Sequence, residues 1–276
     1  MEESILKQLA EGSLPPALIL VACRLLGLFI PAPFFRSRML PWRLKVAVVA
    51  VLSLGVIISP AFQESMVGLP AEVIEKLGNP SQGWLLIAGE LLVGMALGWS
   101  VLLVLACVKG AADLIAQQTG LSANLIVDPQ APGGGSPVSF LYHGLAVYLL
   151  LALNLHHSLV RSVLNSFTWV PPGSLSGEAV PMVLGRLAME IGGDLFFAAM
   201  VLALPLLLAM ALVSMAQGAL GRALPQAELF TLGLPVRLLV GLAVLYASLP
   251  VSLRYVGGML RSAVLGAEDF LSSWGA

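Results

Sequence analysis

A series of apolar runs, several of them interrupted by a charge, limits what this chain can become. The runs cover about residues 14–30, 46–62, 84–108, 138–155, 187–215 and 235–255. A stretch of roughly 20 apolar residues is enough to cross the hydrocarbon core of a bilayer. In lipid every backbone N–H and C=O must be satisfied within the protein, so such runs form helices. A soluble domain carries about 25% charged residues, whereas this chain of 276 residues carries 11% and is 58% hydrophobic. The expectation is an all-α polytopic membrane protein of about six long hydrophobic helices, partly bent or broken and arranged as helical hairpins. The net charge of −1 points to no particular partner, and no basic run suggests nucleic acid.

The charges inside these runs are informative. Arg24 interrupts the first run and Glu90 the third, while Glu190 and Asp194 fall in the fifth. A bare charge at the bilayer centre is costly, so each is expected to face protein or water. Glu90 lies one turn before Gly94, and Gly94 and Gly98 form a GxxxG, the spacing that lets two membrane helices approach closely. The fifth run is too long for one ordinary crossing and contains Pro205, so a bend or break is expected there. Residues 222–233 read as a polar turn, Pro250 sits late in the sixth run, and Arg261, Glu268 and Asp269 make the tail amphipathic at best. A Pro/Gly/Ser-rich linker near 170–181 divides the chain into parts 1–180 and 181–276. Lys and Arg divide almost evenly between the two sides of the expected topology. Only the first connection, with Arg36, Arg38, Arg43 and Lys45, is clearly biased, toward the cytoplasm. Such helices call for protein partners more than for lipid.

Residues 110–137 break the apolar pattern. They begin as helix-compatible sequence, carry Gln117 and Gln118, meet Gly120, and pass Asp128-Pro129 into a glycine run from Gly133 to Gly135. Polar, Gly-rich backbone between membrane segments is either a solvent loop or irregular backbone held at membrane depth inside protein.

Chemistry-bearing motifs are missing. There is no Walker loop, HExxH, nucleophile elbow or Cys/His metal spacing, so no catalytic residue, cofactor or metal is expected and the chain reads as a non-enzyme. His156 and His157 are adjacent and point about 100° apart on a helix, which suits an interfacial role better than chelation. Glu90, Glu190 and Asp194 are candidates for a proton pathway, or partners for Arg24. Cys23 and Cys107 read as small buried residues, not a disulfide. Leu20 to Cys23 resembles a lipoprotein box, but Glu2 and Glu3 stand where a basic leader would be.

Four blocks in order carry a family resemblance: AGELLVGMALGW at 88–99, ADLIAQQTGLSANLIVDPQ at 112–130, SPVSFLYHGLAVYLLLALNLHHSLVRSVLNSF at 136–167 and RALPQAELFTLGLPVRLLVGL at 222–242. Together they resemble the FliR/SctT family of type III secretion export-gate proteins, over about residues 15–255. The resemblance implies a pore-forming subunit of the gate that passes unfolded proteins across the bacterial inner membrane. Its partners would be the P-type and Q-type subunits (FliP and FliQ) and the FlhA/FlhB-type gate proteins. The first part would be P-like and the second a Q-like hairpin. Segment 110–136 would plug the closed channel, through Gly110, Asp113, Leu114, Gln117, Gln118, Gly120, Leu121, Asp128 and Pro129. Arg24, Glu90, Gly94, Gly98, Arg222, Pro225, Gln226, Phe230, Gly233, Pro235 and Arg237 would pack subunits together. The chain departs from the family where Ala227 to Phe230 replaces MNIF and Gln117 to Gly120 replaces LQMG. The flagellar branch fits better than the injectisome branch. The rival reading is a self-contained secondary transporter built on broken helices and intramembrane carboxylates.

Overall fold

In a computed structural model of the chain, residues 14–31, 41–58, 71–121, 136–173, 179–223 and 229–273 are described. Among them the regular structure is all helical: α1 Leu14–Phe29, α2 Trp42–Ile58, α3 Ala71–Gly78, α4 Pro80–Thr119, α5 Pro137–Ala152, α6 Leu155–Trp169, α7 Ala179–Ala223 and α8 Leu229–Ser272. Local chemistry sets several ends. Pro80 and Pro137 stand in the first turns of α4 and α5, where a missing N–H costs nothing. Ser136 caps α5 by accepting the Ser139 N–H at 3.1 Å. Gly120 closes α4 with φ +79°, a left-handed conformation that favours glycine.

Among the described residues, three helices are long and apolar enough to cross a membrane: α4 over Gln82–Thr119, α7 over Phe196–Arg222 and α8 over Gly233–Ser272. The broken pair α5 and α6 makes a fourth if it counts as one span. The chain is therefore an all-α polytopic membrane protein.

The helix boundaries correct several sequence expectations. The third run does not stop at Val108: α4 continues through Gly110 to Thr119. Glycine in a helix costs about 1 kcal/mol against alanine, and burial of Ala111, Ala112, Ile115 and Ala116 outweighs it. The fourth run, 138–155, is not one continuous helix. It breaks at Leu153 and Asn154, where Asn154 takes φ 55°, and α6 starts afresh. The fifth run is not broken at Pro205, which lies inside the 45-residue α7. The turn expected at 222–233 is shorter, because α8 already begins at Leu229 and carries Pro235 and Pro250 within it. The tail belongs to the same helix.

The chain packs as two compact units: Met1–Leu102 with Asn154–Ile191 and Arg261–Ala276, and Leu103–Leu153 with Gly192–Leu260. Neither unit is continuous in sequence. In the first unit α1 lies against α2 and α6. Its core contains Leu20, Leu25, Val93, Leu97, Val163 and Phe167, and on the C-terminal end of α8 Val264 and Leu271 are buried. In the second unit the core gathers Val104, Ile115, Tyr142, Leu150, Leu206 and Met210.

Candidate functional site: buried charge and the end of the central helix

In the first unit Arg24 is completely buried, and its environment answers each face of the guanidinium. Nε donates to Glu90 Oε2 at 2.7 Å, one terminal nitrogen to Ser166 Oγ at 3.1 Å and the other to the Val170 carbonyl at 3.0 Å. The Phe167 ring covers its flat face, 4.2 Å from Cζ. The second oxygen of Glu90 accepts the Gly173 N–H at 3.0 Å. Ser166 keeps its own proton on the Val163 carbonyl. One ion pair thus ties together α1, α4 and the end of α6. Burying such a pair costs desolvation, and the complete set of partners offsets it.

Small residues allow this approach. A Cβ added to Gly94 would overlap the Arg24 carbonyl, one at Gly98 the ring of Pro31, and one at Gly27 the Leu91 carbonyl. Arg24, Glu90, Gly94 and Gly98, expected at subunit contacts, make these contacts within the chain. Gly27, Ser166, Phe167 and Gly173 were not singled out from the sequence. The approach of Gly27 shows no spacing signal, and Ser166 lies 142 residues from Arg24.

In the second unit the end of α4 holds five of the nine expected plug residues. Gly110, Leu114, Gln117 and Gln118 lie on its exposed side, while Ala112, Ile115, Ala116 and Thr119 are buried. Asp113 is half-buried and accepts the Ser139 hydroxyl at the start of α5. A carboxylate there also faces the positive end of the α5 dipole. The Thr119 hydroxyl turns back to the Ile115 carbonyl at 3.0 Å, and its methyl fills the space that a side chain at Gly241 would need. Gly120 faces Leu234, and Leu121 is half-buried in the turn. Asp128, Pro129 and Gly133 to Gly135 lie outside the described residues.

The late block splits similarly. Pro225 and Gln226 lie outside the described residues, as do the side chains of Phe230, Glu190 and Asp194. Arg222 is exposed at the end of α7. Arg237 reaches from α8 to α7, donating to Gln217 Oε1 at 3.1 Å and to Ser214 Oγ at 2.7 Å. Gln217 in turn donates to the Gly233 carbonyl at 3.0 Å. Pro235, two residues before Arg237, is exposed.

Other candidates offer little chemistry. His156 and His157 lie with ring centroids 4.1 Å apart, tilted by 42°, and His156 Nδ1 is buried without a hydrogen-bond partner. Among the described residues no group of three or more His, Cys, Asp or Glu is placed to hold a metal. Cys23 and Cys107 are half-buried and not joined in a disulfide. A groove of ≈ 90 Å³ beside Pro205, lined also by Val201, Leu202, Val251 and Tyr255, is almost wholly apolar.

Comparison with known proteins gives this arrangement a family. The model described as bacterial export proteins, family 1, matches residues 16–263. The flagellar biosynthetic protein FliR of Escherichia coli strain K12 is 29% identical over 227 residues, 82% of each chain. The protein of the same name from Bacillus subtilis strain 168 is 27% identical over 241 residues, 86% of this chain and 87% of the relative. That of Buchnera aphidicola from Acyrthosiphon pisum is 25% identical over 87% of this chain and 88% of the relative. With nearly its whole length matched, this chain belongs to the bacterial export proteins of family 1, the FliR family.

Proposed function

We propose that this chain is a structural, non-enzymatic subunit of the flagellar type III protein export gate in the bacterial inner membrane. It assembles there with FliP-type and FliQ-type subunits and with FlhA/FlhB-type gate proteins, forming part of the channel that unfolded flagellar proteins cross. The observation that carries this is the match to relatives named flagellar biosynthetic protein FliR over more than four fifths of both chains. Its membrane helices fit the same role. In their most apolar stretches α7 and α8 are only 28% and 17% buried within the chain, against 56% for α4. That leaves broad apolar surface for neighbouring helices.

The plug reading takes residues 110–136. Of these, 110–119 are helical and partly buried at the end of α4, so displacing them would cost core contacts. The supporting feature is Gly120, which ends the helix with positive φ. Removing 122–135 from the assembled gate is expected to raise ion conductance across planar bilayers, and unchanged conductance would count against the plug.

The function itself is tested by deleting the gene in its source bacterium. Loss of filaments and of exported hook and filament proteins, restored by the gene in trans, is expected. Intact filaments together with a defect in delivering proteins to host cells would assign the chain to an injectisome.

A further inference from the structure

The two buried or half-buried arginines described inside apolar helices differ in one respect. Arg24 has a carboxylate, Glu90, at 2.7 Å. Arg237 has two neutral partners, Ser214 and Gln217, and no anion among the described residues. It is half-buried, so part of the guanidinium still faces outward. Near it in sequence, Leu234, Val236 and Leu238 are exposed apolar side chains.

Snorkelling to a lipid headgroup is the simplest fate for such an arginine. The geometry here is different. Arg237 lies eight residues inside the start of α8, and Ser214 nine residues before the end of α7. At 1.5 Å per residue, each is about 12 Å or more from the helix end. The guanidinium is turned onto α7, with Nε on Gln217 and a terminal nitrogen on Ser214. Gln217 is fixed by the Gly233 carbonyl, so the fork is held in place before any ligand arrives. A planar, preoriented guanidinium with free N–H groups matches a carboxylate better than any neutral group. A cation at this depth among apolar side chains is usually paired with another protein group.

We propose that Arg237 is the charged anchor of an interaction surface on the α7–α8 hairpin, and that it takes a carboxylate side chain presented at the same depth by a helix of a neighbouring membrane subunit. This deepens the export-gate reading and rests on it, since a chain that works alone offers no such helix. The apolar side chains near Arg237 in sequence would exclude water from the pair, so truncating it is costly.

The test co-expresses the full chain with the other gate subunits and measures the assembled fraction by native mass spectrometry. Wild-type assembly checks the export-gate reading first; its absence would sink that reading and this one together. With assembly in hand, Arg237→Gln is expected to lower the assembled fraction by about tenfold or more, while membrane-inserted chain stays at wild-type level. Arg237→Glu is then paired with Lys substitutions at each intramembrane Asp or Glu of the partners. Restoration by one of them identifies the carboxylate. Equal assembly of Arg237→Gln and wild type would overturn the inference. So would a loss that no charge swap restores, or a loss that tracks the phosphatidylglycerol content of the membrane and not the partner's sequence.

Discussion

The helices around Glu90 and the hairpin around Arg237 solve the same problem in opposite ways. Both place an arginine inside apolar sequence. In the first unit α1, α4 and α6 bring Arg24 a carboxylate, a hydroxyl, a carbonyl and an aromatic face. In the hairpin only neutral groups reach Arg237, and Leu208, Leu212 and Met215 of α7 and Leu239, Leu242 and Tyr246 of α8 remain exposed. One region carries its own counter-charge, although Ile19, Leu26, Trp84 and Leu85 on its helices stay exposed. The other leaves that need to be met from outside. A membrane subunit can thus hold a self-sufficient core and an adhesive hairpin in one chain, and substitutions should separate the two.

The largest effect is expected at the ion pair. Glu90→Ala leaves Arg24 buried and unpaired, at a cost of about 3–5 kcal/mol. The yield of folded chain should fall steeply, with or without partners, as read by detergent stability and membrane level. Exchanging both partners, Arg24→Met with Glu90→Leu, should cost much less, because no charge is stranded. Equal losses for the single and double changes would show that the pair is not the source of stability.

Glycines provide the next contrast. Gly94→Ala puts a Cβ onto the Arg24 backbone and should destabilise by about 1–3 kcal/mol. Gly258, in α8, has open space around it, so Gly258→Ala should stabilise the isolated chain by up to about 1 kcal/mol. A shared sign at both positions, measured by thermal unfolding in detergent, would erase the distinction between the packed and the open helix. The smallest effect is expected at the start of α5. Ser139→Ala removes the hydroxyl that Asp113 accepts and should cost about 1 kcal/mol, without touching assembly through the hairpin.

Much of the self-sufficient region was legible in the sequence. An arginine in an apolar run has to meet protein, and Glu90, Gly94 and Gly98 share a helix face by spacing alone. What completes the site was not legible. Ser166, Phe167, Val170 and Gly173 come from the far end of α6, and nothing local marks them as partners of α1. The sequence also overstates breaks. Pro205 reads as an interruption, yet burial of Ala203 and Leu206 accompanies unbroken helix. It understates the break at Asn154, where the only signal is an asparagine able to take a left-handed conformation. Arg237 was visible as an isolated charge, but its tether to Ser214 and Gln217 depends on the register of two helices.

Hydrogen exchange, read helix by helix on the detergent-purified chain alone and in the co-expressed gate, tests this division most directly. Slow exchange around Glu90 in α4 in both samples is predicted, with α7 and α8 exchanging readily alone and becoming protected in the assembly. Equal protection of the hairpin in both states would contradict the account, because its exposed face would then need no partner.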